Sequence, residues 1–141
     1  MAAVVALVLG CSRLLPEQNV VERDLDRDRI EARTGIILPT SATAIRGEWN
    51  ENLPHGTTWL RFEVPAERVD DILGSVGPLR SLSPGPLPAR LGAREYGRPA
   101  WFTPNKAGAS LVGTCRVTSR CAVLIDTTNP RAYLVFMRVG W

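Results

Sequence analysis

Two stretches near the C-terminus, "CAVLIDT" (121–127) and "AYLVFMRV" (132–139), constrain this chain more than anything else in it. Successive residues of a β-strand point to opposite faces, so a strand with one face in water alternates apolar and polar residues. The runs "AVLI" and "YLVF" do not alternate. Apolar side chains at consecutive positions require cover on both faces, which places these strands at the middle of a sheet or under layers on each side. With 45% apolar and 22% charged residues in 141, the chain has the material for one core of this kind.

The remaining elements are read around these two. "SLVGTCRV" (110–117) is a third C-terminal strand, and "TTNP" turns the chain between the last two, with Asn129-Pro130 as the breaker. "TTWLRFEV" (57–64) alternates: Leu60, Phe62 and Val64 face one way, Trp59, Arg61 and Glu63 the other. A further strand is expected over about 43–49, with "NENLPHG" (50–56) as a loop, and Trp49 and Trp59 are expected on one side of the sheet. "PAERVDDILGSVG" predicts a helix over about 65–76. Pro65 suits its first turn, and Val69, Ile72, Leu73 and Val76 form an apolar face at i, i+3, i+4 and i+7. "VVERDLDRDRIEARTG" predicts an N-terminal helix over about 20–34, with Arg27–Glu31 as an i,i+4 pair and Gly35 as its stop. Residues 78–107, rich in Pro and Gly, read as a long loop docked in its second half by Tyr96, Trp101 and Phe102. The expected fold is α+β: a mostly antiparallel sheet of about five strands with one packed helix.

The chain begins "MAAVVALVLGC". Its apolar run is too short to span a bilayer, and its length suits the core of a secretory signal. Cys11 then marks a site of lipid attachment, which divides the chain into a signal peptide (1–10), a lipidated tether (11–19) and a single domain (20–141). The competing reading is a buried N-terminal strand carrying a core cysteine. If Cys11 carries lipid, Cys115 and Cys121 remain as an even pair. With a loop at 117–119 they fall opposite each other in a hairpin, within reach of a disulfide. Two free core thiols are the alternative. Metal binding is a weaker third, because the C-x₅-C spacing is not a usual zinc pattern and His55 is the only histidine.

The segments "GIILPTSATAI", "TTWLRFEV", "PAERVDDIL" and "VLIDTTNPRAYLVFMR", together with the "VLGC" start, resemble small exported lipoproteins of uncharacterised function from GC-rich bacteria. The resemblance implies export, a lipid anchor in a bacterial envelope and a sheet closed by the C-terminal hairpin. It carries no catalytic residue.

Little in the sequence supplies chemistry. All but Lys106 of the 17 basic residues are arginine, and they are dispersed, which gives no nucleic-acid footprint. No nucleophile elbow, phosphate loop, dinucleotide fingerprint or EF-hand is present. Asp70 and Asp71 are adjacent on the expected helix and point apart, and Asp126 suits a turn acceptor. The candidate binding surface is "REYGRPAWFTPN", where Arg94, Tyr96, Arg98, Trp101 and Phe102 combine the residue types that dominate recognition surfaces. The alternative is that its large rings plug the loop into the core. The expectation is therefore a membrane-anchored, extracytoplasmic, non-enzymatic binding module. Its partner is expected to be an envelope protein or a cell-wall component, with no cofactor or metal and no nucleic acid. Two other readings are an exported hydrolase using His55 as base and a soluble cytoplasmic domain with a structural N-terminal strand.

Overall fold

The structure, a computed structural model, describes residues 20–52, 55–75, 82–92, 97–115 and 120–141. These form one seven-stranded antiparallel sheet. The strands are β1 (Val20–Glu22), β2 (Thr43–Asn52), β3 (His55–Pro65), β4 (Ser83–Pro84), β5 (Ser110–Gly113), β6 (Arg120–Asp126) and β7 (Ala132–Gly140). Their spatial order is β1-β2-β3-β7-β6-β5-β4. Two meanders, β1 to β3 and β4 to β7, join where β7 lies along β3, from Thr57↔Gly140 to Pro65↔Ala132. Three short helices accompany the sheet: α1 (Arg27–Thr34), α2 (Asp70–Ser75) and α3 (Ala89–Gly92).

Both faces of the central strands are covered, as the unbroken apolar runs require. On one face, Leu60, Phe62, Val64, Val123, Ile125, Val135, Met137 and Val139 pack beneath Leu25, Ile30, Ile36, Leu38 and Ile72. This is the helix face. On the other, the loop face, Trp59, Ala122, Leu124 and Phe136 pack beneath Leu91 and Phe102.

Cover on the helix face begins at Asp24, whose φ of +54° turns the chain out of β1. Asp tolerates this left-handed conformation better than most residues. Leu25 N–H then donates to the Gly47 carbonyl (3.0 Å), and the Leu25 side chain drops into the core. Asp26 caps α1 by accepting from Arg29 N–H at 2.9 Å, and Gly35 closes it in the left-handed conformation. Arg27 reaches back to the carbonyls of Leu38, Pro39 and Ala42, while Glu31 accepts from Leu38 N–H at 2.9 Å. The i,i+4 partners Arg27 and Glu31, 3.7 Å apart, thereby hold the 35–42 segment against the sheet.

The expected α+β fold, with about five strands and one packed helix, is overturned. The sheet has seven strands and its helices are short. The helix expected over 20–34 starts only at Arg27, because Val20–Glu22 pair with Trp49–Glu51 as an edge strand. Among the described residues, the helix expected over 65–76 is present only over Asp70–Ser75. Pro65 stays in β3 opposite Ala132, and Ala66–Arg68 form a 3₁₀ turn. A 3₁₀ turn advances the chain three residues per turn instead of 3.6, which shifts the phase of the helix that follows. Ile72 is buried and Leu73 is turned outward, 40% exposed; Val76 lies outside the described residues. The segment expected as a long loop over 78–107, with room for one short helical turn, contains α3, a 3₁₀ turn at Pro104–Lys106 and also the short strand β4. The loop expected at 50–56 is also shorter, since β2 runs to Asn52 and β3 starts at His55.

Trp49 and Trp59 lie on opposite faces. Trp49 is opposite Thr58 and Trp59 opposite Glu48, so the hairpin register puts Trp49 on the helix face and Trp59 on the loop face. With a side-chain period of two, the register of the turn alone decides this.

Candidate functional site

Toward its β1 edge the loop face becomes polar. Arg46, Glu48 and Asn50 of β2 lie on that face because of a β-bulge. Thr43 pairs with Glu63, and the register then shifts before Arg46 pairs with Arg61. The extra residue includes Ala44, at φ +49°. An unbulged strand with Thr43 on the loop face would turn Arg46 and Glu48 toward the helices. The bulge reverses that parity, a common use of bulges beside functional sites.

The segment 98–101 stands opposite these residues. Between the two runs a cleft of about 370 Å³, lined by Arg23, Asp24, Arg46 and Glu48 on the sheet side and by Arg98, Pro99, Ala100 and Trp101 on the other. Its size is that of a small-ligand site. Phe102 anchors the outer wall. It is buried, edge-on to Phe136 with ring centroids 5.5 Å apart and edge-on to Trp101 at 6.0 Å. Arg98 donates from Nε and NH2 to the Phe102 carbonyl (3.1 and 2.8 Å), and its guanidinium lies 5.5 Å from the Phe102 ring centre. The Arg46 guanidinium is 5.1 Å over the Trp101 ring. This cation–π contact ties the two walls together.

Gly97 lies at the base of the outer wall, with φ at +78° and its Cα facing the Asn50 side chain so closely that no Cβ fits. Asn50 is buried, and its Oδ1 has no hydrogen-bond partner among the described residues. A buried acceptor without a partner is uncommon.

Of the expected surface residues, the structure brings Arg98 and Trp101 to the cleft and buries Phe102 beneath them. Arg94 and Tyr96 lie outside the described residues, as does Cys11 with the segments 1–10 and 11–19. Cys115 and Cys121 are at disulfide distance, with Cα atoms 5.3 Å apart. The pairing Gly113↔Val123, carried two residues further, sets them opposite each other. Both are buried on the helix face, away from the cleft. His55 is exposed at the start of β3, with the Arg120 guanidinium 3.5 Å from Nδ1. Asp126 accepts from Thr128 N–H (2.9 Å) and from its hydroxyl (2.6 Å), which organises the β6–β7 turn. Among the described residues, no three of His, Cys, Asp and Glu gather as a metal-ligand set, and no helix is long and apolar enough to cross a membrane.

The sequence singles out neither Arg23, Asp24 nor Arg46, and it offers Glu48 only as a carboxylate beside Glu51 flanking Trp49, not as part of a cleft. The signal for Arg46 and Glu48 was their i,i+2 spacing in a strand, which puts both on one face. Nothing local says which face, because the bulge decides it. Compared with known proteins, the chain matches no family model, no curated protein and no solved structure.

Proposed function

We propose that this chain is a lipid-anchored, extracytoplasmic binding module without catalytic chemistry. Cys11 is its point of attachment, and the cleft beside Trp101 is its recognition surface. One observation carries the binding reading: Trp101, Arg46 and Arg98 meet in a concave site whose walls are already fixed by Phe102 and by backbone carbonyls. Groups held in place before a ligand arrives lose little entropy on binding. The anchor rests on the apolar run ending at Cys11. Two acyl chains hold a protein on a membrane where one does not. The cysteine pair at disulfide distance supports export, because disulfides persist in oxidising compartments. The partner is a component of the cell envelope, either a protein or a cell-wall constituent.

Intact-mass analysis of the protein purified from native membranes tests the anchor. The expected species begins at Cys11, carries a lipid adduct and lacks two hydrogens across Cys115 and Cys121. An unprocessed cytosolic chain with free thiols overturns export. Crosslinking in the envelope followed by capture tests the binding module. Recovery of a partner by the natural chain and not by a Trp101→Ala variant is expected, and equal recovery by both rejects the cleft as the surface.

A further inference from the structure

Four charged residues of both signs, Arg23, Asp24, Arg46 and Glu48, line the cleft and form no ion pair with one another. The ion pairs among the described residues are Arg27–Glu31, Arg33–Glu22 and Arg68–Asp71, and none involves Arg23, Asp24, Arg46 or Glu48. Yet all four of these residues line one cleft. Arg46 and Glu48 are two residues apart on one face of β2, roughly 7 Å from root to root at strand spacing. The Arg46 guanidinium is held over Trp101, so its charge stays at the wall instead of folding onto Glu48. The Arg98 guanidinium is clamped on the Phe102 carbonyl, which fixes the wall that carries Trp101.

A simple anion entering this cleft meets Arg46 and Arg23 but also two carboxylates. A simple cation meets the reverse. Only a molecule bearing both charges on one short frame gains from both sets, and like charges placed together are what reject the singly charged alternatives. We infer that the cleft takes a small zwitterion of the amino-acid or short-peptide class. Its carboxylate sits on Arg46 and Arg23, and its ammonium on Glu48 and Asp24. This inference rests on the binding reading above and narrows it to a ligand chemistry.

The test is an NMR titration of the full chain with three probes: alanyl-alanine, its N-acetyl form and its C-terminal amide. The readouts are the Trp101 indole N–H and the backbone amides of 98–102. The free dipeptide is expected to give saturable shifts with a dissociation constant on the order of 1 mM, since a ligand this small has few atoms to contribute. Each blocked form is expected to bind about tenfold more weakly, the loss of one charge-assisted contact. Arg46→Gln should weaken the dipeptide and abolish its preference over the amide. Glu48→Gln should abolish its preference over the N-acetyl form. Both residues are at the surface, and unchanged thermal midpoints establish that the variants are folded. No saturable shift at Trp101, or equal binding of all three probes, overturns the inference. If Trp101-dependent capture of an envelope partner succeeds while the dipeptide fails, the binding module stands and the zwitterion is wrong.

Discussion

At the scale of single residues, the tightest constraints sit where β2 meets its cover. A Cβ on Gly47 would lie 2.8 Å from Ile30 Cδ1 and 3.2 Å from Leu25 Cβ, both of them buried side chains. Glycine is needed there because α1 rests on the backbone of β2. Gly47→Val is expected to destabilise the domain by about 1–3 kcal/mol, the usual penalty for overpacking, as measured by urea denaturation; an unchanged midpoint would show that α1 does not sit there. Ala44 presents the opposite case. Its left-handed φ of +49° disfavours an L side chain by roughly 1–2 kcal/mol, partly offset by the extra chain freedom of glycine when unfolded. Ala44→Gly is therefore expected to be neutral or to stabilise by up to about 1 kcal/mol. A clear loss of stability in the same denaturation experiment argues against the bulge.

At the scale of elements, the cysteine hairpin and the 97–107 segment do different work. The pair Cys115 and Cys121 stands at disulfide distance with a sequence separation of 6, so the proposed bond would close a short loop. On the chain-entropy model, so small a loop contributes about 2–2.5 kcal/mol. Reduction, or Cys115→Ser with Cys121→Ser, should lower stability by about that amount without disturbing the cleft on the opposite face. The 97–107 segment depends on Phe102, the largest of its buried side chains. Phe102→Ala is expected to destabilise by about 3–5 kcal/mol and to release the outer wall of the cleft. Limited proteolysis near 98–101 reads this out, and wild-type resistance in the variant would show that the segment is held by other contacts. The bulge in β2 is an element-scale device as well. It lets one strand present Gly47 and Trp49 to the helices while Arg46 and Glu48 face the cleft.

At the scale of the whole molecule, the sheet is most protected at the seam between its two meanders. β3, β7 and β6 carry the long registers and the fully buried side chains, whereas β1 and β4 are edge strands of three and two residues. Hydrogen exchange should be slowest in the first three and fastest in the two edges; uniform protection would contradict this layering. Much of that centre was legible. Leu60, Phe62 and Val64 alternate against Trp59, Arg61 and Glu63 as strand geometry demands, and the apolar runs of β6 and β7 demanded cover above and below. The edges were not legible, because Val20–Glu22 and Ser83–Pro84 carry too few apolar residues for a pattern and become strands only by pairing with a neighbour already in place. The end of β3 was misread for a related reason: Pro65 suits a helix start in isolation, yet the long ladder with β7 keeps it extended. Periodicity is a property of a few consecutive residues, so it reports which side chains must be hidden and at what spacing. Which face Trp49 or Arg46 occupies depends on a turn register and a bulge, and these are set by partners distant in the chain. The meeting of Arg23, Asp24, Arg46 and Glu48 with Trp101 belongs to that second kind, since contacts between remote segments exist only once the chain has folded.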